Sequence, residues 1–250
     1  GLGWIAGPPE YGGRGLPKQF SRLYNELEEG FATADQMRLS VGLGMVGPTI
    51  AAHGSAEVKN RYLRSIYRGD VLACQLFSEP NAGSDLSAIR TRAERDGDSW
   101  RITGQKVWTS GGHFSDIGMV LARTGTDDSR TRGLTMFLID MHALGVEVRP
   151  LRQMTGHASF DEVFLDDVLT PDSNRLGQVD DGWSVMMTTL LNERGSIGGG
   201  GRGVGGGDYL LQRLVDVARH ADRTGDRVVR QAIADLYIRL TIAGYFQGRL

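Results

Sequence analysis

Between residues 71 and 168 the apolar residues recur at short spacing, and this stretch limits the possible folds more than any other feature. Six apolar runs follow one another with turn residues such as Asp96-Gly97-Asp98 between them: V-L-A-C-Q-L-F, W-R-I-T-G, I-G-M-V-L-A-R, L-T-M-F-L-I-D, V-E-V-R-P-L and E-V-F-L-D-D-V. Runs of this kind predict strands. Because no helical pattern interrupts them, they indicate a small β-barrel or sandwich.

Helical spacing precedes this stretch. From Gln19 to about Gly69 apolar residues recur three and four positions apart, beginning with Phe20 and Leu23. Ser55 is a candidate N-cap for a helix that places Val58, Tyr62, Leu63 and Ile66 on one face.

Helical spacing returns after the apolar runs, over residues 182–194, 209–220 and 228–246. We therefore expect an α+β fold with an N-terminal helical domain, a central β-barrel or sandwich domain and the start of a C-terminal helical bundle. The expected domains are residues 1–70, 71–180 and 181–250.

Composition excludes several classes of protein. A chain of 250 residues with 40% hydrophobic content can bury a large core, and a net charge of -2 gives no basic surface for nucleic acid or an anionic membrane. No apolar run approaches the roughly 20 residues of a membrane span, and the first residues lack the pattern of a signal peptide. A cytoplasmic location is expected. The single cysteine, Cys74, is expected to be a core residue in a reducing compartment.

Two glycine-rich segments match a pattern typical of dinucleotide-binding turns. Residues 42–47 and 201–206 both match G-x-G-x-x-G, but neither follows a predicted strand, which argues against a dinucleotide-binding turn. The second lies in a glycine tract over 198–207, which indicates either a closely packed helix or a flexible break. The five histidines show no ligand spacing, so no metal site is predicted.

Two motifs point to chemistry. Residues 77–88 read F-S-E-P-N-A-G-S-D-L-S-A, and residues 106–111 read K-V-W-T-S-G. Pro80 stiffens the first segment, while Gly83 and Asp85 offer turn conformations and side-chain bonds that other residues make poorly. Together the motifs suggest a flavin site built from backbone and hydroxyl groups. By composition alone, the first could equally be a surface turn.

These motifs resemble the signatures of the acyl-CoA dehydrogenase family, Ser/Thr-Glu-x-x-x-Gly-Ser/Thr-Asp followed by Gly-x-Lys-x-aromatic-Ile/Thr/Val-Ser/Thr. The resemblance extends to residues 11–15, 54–63, 133–151, 160–167 and 193–194. It implies FAD-dependent α,β-dehydrogenation of an acyl-CoA to a trans-2-enoyl-CoA. It also implies a fragment truncated at both ends.

The resemblance assigns residues to the cofactor and the substrate. Residues at five positions would surround the FAD: Gln75, Phe77, Ser78, Trp108 and Ser110. Ser84 would contact the CoA or the thioester, and Arg194 is a further substrate-binding candidate. For Trp108 the alternative is an ordinary core aromatic.

The expected catalytic base is Glu193, since a minority of the family places its base on a helix directly before an arginine. Burial in an apolar cleft would suit such a carboxylate to proton abstraction. Two alternatives stay open: a base beyond residue 250, or none.

Other members of the family suggest partners and rival functions. Electron-transferring flavoprotein is the expected electron acceptor, and a homo- or hetero-oligomer, dimer or tetramer, is expected. The family's R-x-x-F-G run is replaced by H-A-D-R-T-G-D-R-V-V-R-Q, in which Arg223 and Thr224 are partial candidates for flavin phosphate contacts. This leaves two alternatives: an acyl-CoA oxidase of the same fold, or a non-catalytic subunit of a mixed assembly.

Overall fold

Eight strands form a single mixed sheet in the computed structural model, which describes residues 3–28, 31, 37–198 and 206–247. The order is β6-β7-β3-β2-β4-β5-β8, and β1 pairs in parallel with β4. The strands are β1 Ala73–Leu76, β2 Arg92–Asp96, β3 Ser99–Ser110, β4 Ile117–Arg123, β5 Leu134–Asp140, β6 Val146–Leu151, β7 Phe160–Pro171 and β8 Arg175–Leu176.

Among the described residues, three α-helices precede the sheet: α1 Gln19–Glu28, α2 Gly47–His53 and α3 Ala56–Arg68. The predicted cap of α3 is confirmed, because the Ser55 hydroxyl accepts the Val58 N–H at 3.2 Å. The helix ends at Gly69, whose φ of 77° suits glycine. Its predicted apolar face is buried.

Each face of the sheet is covered by a separate apolar core. The first core joins residues of α2 and α3 to β1, β4 and β5, and it includes Val185 and Met186 of α4, Gly182–Gly198. The second core contains Trp100, Phe137 and Cys74. Cys74 is fully buried, as expected, and burial raises the pKa of its thiol to about 12. The α+β fold class predicted from the sequence is confirmed.

The chain divides into two compact units, residues 1–192 and 193–250. The second contains α5, Gly206–His220, and α6, Arg227–Gln247. Asp226 begins α6 by accepting the Val228 N–H at 2.8 Å. Within the described ranges, none of the helices has both the length and the apolar character that crossing a bilayer requires.

The two glycine patterns have different outcomes. Residues Gly42–Val46 form one π-helical turn that continues into α2, and no strand precedes them among the described residues, in agreement with the prediction. Most of the second glycine tract, residues 199–205, lies outside the described residues.

Candidate functional site

A β-bulge near the end of β3 presents Trp108 on the surface. Two residues of β3, Val107 and Trp108, lie opposite Glu162 of β7 at a break in the pairing register. Trp108 has a φ of 61°, which is rare for a bulky side chain, and its side chain is 61% exposed. The exposure excludes the core alternative. Bulges and strained backbone conformations of this kind cluster at functional sites.

The bulge also joins the two sequence motifs. The N–H of Val107 donates to the Ser78 carbonyl at 2.9 Å. On the other side, the Phe160 ring packs edge-on against the Trp108 ring with centroids 6.0 Å apart. The structure therefore brings Ser78 and Trp108 into neighbouring segments, as the flavin prediction requires.

A buried lysine lies beneath this junction. Lys106 is fully buried, and its Nζ donates to the Phe77 carbonyl at 3.1 Å, to the Leu121 carbonyl at 2.8 Å and to Glu79 Oε1 at 2.9 Å. All three hydrogens of the ammonium can thus be satisfied without water. Burial lowers the pKa of Lys106, and the adjacent Glu79 carboxylate partly offsets this effect.

The other partner of this ion pair closes a loop. Glu79 Oε2 accepts the Arg90 N–H at 2.6 Å, and Oε1 accepts the Thr91 N–H at 2.9 Å. Burial by itself raises the pKa of Glu79, but the Lys106 ammonium and the hydrogen bonds outweigh it and hold that pKa below its usual range. Through its carboxylate, Glu79 therefore ties the beginning of the segment 77–91, which we call the signature loop, to the end of that segment.

Two turns shape the signature loop. Glu79 and Ala82 exchange backbone hydrogen bonds of 2.9 and 3.0 Å around a tight turn that begins with proline. Asp85 Oδ1 then accepts both the N–H and the hydroxyl of Ser87, as expected for this aspartate. Gly83 differs from the expectation: its φ is not positive, and a Cβ there would meet no atom within 4 Å. The protein's own packing therefore does not require this glycine.

The predicted flavin contacts differ in exposure. Phe77 is buried, Gln75 on β1 and Ser78 are half-buried, and Ser110 is exposed at the end of β3. In the part of the chain that the structure describes, the Ser78 N–H and the hydroxyls of Ser78 and Ser110 bond to no protein group. These donors are free for a ligand.

A buried carboxylate supports the turn after Ser110. Asp161 of β7 is fully buried, and it accepts the backbone N–H of His113 at 3.1 Å and contacts His113 Nδ1 at 2.9 Å. Gly111 makes this turn with a φ of 66°. The sequence prediction missed this support, because it considered the histidines only as possible metal ligands and assigned no role to Asp161.

The remaining candidates are Ser84, Glu193 and Arg194. Ser84 is exposed in the signature loop. Glu193 is half-buried and Arg194 is exposed on α4, where the second compact unit begins. Their predicted roles stay predictions.

The sequence prediction also missed Lys106 and Glu79 as a pair. A signal was present, because the first signature has a glutamate at a fixed place and the second has a lysine. Gly104, in the same signature, has a separate packing role: a Cβ there would lie 2.3 Å from Thr91 Oγ1. The second signature is therefore partly a packing motif.

The exposed groups fit a flavin. An aromatic plane together with unused hydroxyl and N–H donors suits a ring with one apolar face and a polar edge. Among the described residues, no group of three or more His, Cys, Asp or Glu side chains could hold a metal ion.

Comparisons with known proteins agree with the sequence motifs. The acyl-CoA dehydrogenase N-terminal domain matches residues 1–70, and the middle domain of the same family matches residues 74–168. Acyl-CoA dehydrogenase FadE34 of Mycobacterium tuberculosis is 46% identical over 187 residues, which are 75% of this chain and 26% of that protein. Acyl-CoA dehydrogenase IpdE1 of the same organism is 41% identical over 93% of this chain and 59% of that protein.

A solved structure shows the same architecture. The ChsE4-ChsE5 complex from Mycobacterium tuberculosis is similar over 100% of this chain and 64% of the matched chain, with 27% identity and a TM-score of 0.82. This chain thus spans between a quarter and three fifths of the two curated relatives. Both family matches and the fold lead to one conclusion: the chain belongs to the acyl-CoA dehydrogenase family.

Proposed function

We propose that the protein containing this chain binds FAD and oxidises an acyl-CoA to a trans-2-enoyl-CoA. When bound, the flavin supplies the hydride acceptor, which no side chain can provide. The observation that supports this most is the junction of the two signatures, where the segments that carry the exposed Trp108 and the unused donors of Ser78 are hydrogen-bonded to each other. The relatives named acyl-CoA dehydrogenases support the same reaction.

Each residue at the junction has a distinct role. Trp108 would cover one face of the flavin, since its exposed ring offers an apolar surface. The hydroxyls of Ser78 and Ser110 and the Ser78 N–H would donate to the polar edge. Gln75 and Phe77 lie next to this region along the chain, because Phe77 directly precedes Ser78 and Gln75 lies two residues before Phe77.

Proton removal is assigned to Glu193. Its carboxylate takes the proton from the α carbon of the thioester, and the electron pair of that C–H bond forms the new double bond as the β hydride leaves. Ser84 contacts the CoA portion or the thioester, and Arg194 contacts the substrate. Electron-transferring flavoprotein is the proposed acceptor, and the cytoplasm the proposed location.

The test is an anaerobic titration with acyl-CoA thioesters in which loss of the oxidised flavin absorbance is followed. We expect the flavin of the parent protein to bleach, and that of Glu193→Gln to bleach at least about a hundredfold more slowly, the usual contribution of a general base. Asp235→Asn, which alters an exposed carboxylate paired with Arg239 on α6, is the matched control and should bleach like the parent. Equal rates for Glu193→Gln and the parent would show that another group is the base.

A second function, a non-catalytic subunit of a mixed assembly, is favoured by two observations. Arg223, the partial candidate for a flavin phosphate contact, pairs instead with Asp226 at the start of α6. A similar solved structure is a complex of two named chains. Co-expression with a homologous subunit distinguishes the two functions. A non-catalytic subunit would stay without flavin while the partner is yellow, whereas the proposed dehydrogenase would itself be yellow. Rapid reoxidation of the reduced flavin by oxygen would instead indicate an acyl-CoA oxidase.

A further inference from the structure

The peptide between Phe77 and Ser78 is held in one orientation by a buried side chain. No described peptide bond is cis, so the Phe77 carbonyl and the Ser78 N–H point in opposite directions from the same plane. Lys106 Nζ binds that carbonyl at 3.1 Å. The Ser78 N–H is therefore directed away from the buried lysine, and among the described residues it meets no acceptor.

Lys106 is itself fixed from three sides. Its remaining partners are Glu79 Oε1 and the Leu121 carbonyl of β4, at 2.9 and 2.8 Å. Glu79 is in turn bound by the N–H groups of Arg90 and Thr91. No rotation of the lysine side chain is possible without breaking buried hydrogen bonds, each of which leaves an unsatisfied polar group.

The same pair also fixes the other motif. Lys106 is followed by Val107, whose N–H binds the Ser78 carbonyl at 2.9 Å, and then by Trp108. Three consecutive residues of the signature loop, 77 to 79, are thus bound to two consecutive residues of β3.

We propose that Lys106 and Glu79 are positioning residues that aim the Ser78 N–H and the Trp108 ring at one ligand, the flavin. This inference rests on the proposed function for the identity of that ligand. Neither residue touches the ligand, because Lys106 is fully buried and the Glu79 carboxylate is occupied by three protein donors. Their effect passes through the peptide plane and the bulge.

The experiment measures FAD affinity in the flavin-free protein. The parent, Lys106→Met, Glu79→Gln and the double variant are titrated with FAD at a temperature well below the unfolding midpoint of each protein. We expect Lys106→Met to bind FAD about tenfold to a hundredfold more weakly, the loss found when groups that orient ligand-contacting residues are removed from metal sites. The double variant removes both buried charges and so keeps the fold testable if a single variant does not fold.

Asp172→Asn is the matched control for lost stability. Asp172 pairs with Arg175 and accepts a hydrogen bond from the indole Nε1–H of Trp100, near the end of β3 opposite to Trp108. The Asp172→Asn substitution should lower the unfolding midpoint while leaving FAD affinity unchanged. Amide hydrogen exchange gives a second readout, because the Val107 amide should exchange faster in Lys106→Met than in Asp172→Asn.

Three outcomes decide the matter. Weaker FAD binding in Lys106→Met and in the double variant, with faster Val107 exchange, supports positioning. Unchanged affinity in folded variants overturns it and leaves the proposed function intact. A parent protein that binds no FAD overturns both.

Discussion

Replacing Lys106 with methionine tests the energetics of the buried pair independently of any ligand. The side chain is fully buried and makes three hydrogen bonds. Methionine fills similar volume but leaves the Glu79 carboxylate, whose side chain is 8% exposed, without its counter-ion. Removing one partner of a buried ion pair costs about 3–5 kcal/mol.

That cost converts to a measurable shift. At about 2–4 °C per kcal/mol for a protein of this size, the unfolding midpoint should fall by about 6–20 °C. The two N–H donors that Glu79 keeps, from Arg90 and Thr91, favour the lower part of this range. Thermal unfolding followed by circular dichroism measures it. The double variant with Glu79→Gln should lose less than Lys106→Met alone, because it has no unpaired buried charge.

Arg101→Met is the control. Arg101 forms ion pairs with Asp96 and Asp167, but its side chain is 45% exposed, and exposed pairs contribute little. Its midpoint should stay close to that of the parent. Equal shifts for Lys106→Met and Arg101→Met would refute the reasoning, since they would mean that the buried pair contributes no more than a surface pair.

Three further predictions concern the same region. The folded pKa of Glu79 lies below its unfolded value of about 4.3, so the contribution of Glu79 to the free energy of unfolding is complete above that value and is lost as pH falls through the folded pKa. Urea unfolding across acidic pH should therefore show a smaller loss of stability on acidification for Glu79→Gln than for the parent. Gly104→Ala should lower the thermal midpoint, because the added Cβ overpacks against Thr91 at a cost of about 1–3 kcal/mol. Gly83→Ala should leave the midpoint unchanged, because a Cβ there meets open space. Equal midpoints for the two variants would contradict the packing role of Gly104. Trp108→Gly should unfold at the same temperature as the parent or a higher one, because glycine accepts the positive φ at this position. The same variant should bind FAD more weakly. A large loss of stability with normal FAD binding would contradict a functional role for this bulge.

The sequence predicted those features that depend on local pattern. The cap at Ser55 and the buried face of α3 follow from spacing and hydrogen-bonding chemistry within one helix. The turn at Asp85 follows from the ability of its side chain to bind the backbone two residues ahead.

Features that depend on strand register could not be predicted in this way. The outward position of Trp108 depends on a bulge against β7, and its strand periodicity alone would have allowed a core position. The Lys106–Glu79 contact joins residues 27 positions apart, and it forms only because the signature loop returns beside β3. The pairing of Asp161 with His113 across 48 positions depends on the same register.

The central claim is that the two signatures form one flavin site, and a structure of the protein purified with its bound cofactor tests it most directly. The account predicts an isoalloxazine ring packed against Trp108 with its polar edge within hydrogen-bonding distance of the Ser78 N–H. A flavin bound elsewhere, with Trp108 and Ser78 still facing solvent, would contradict it.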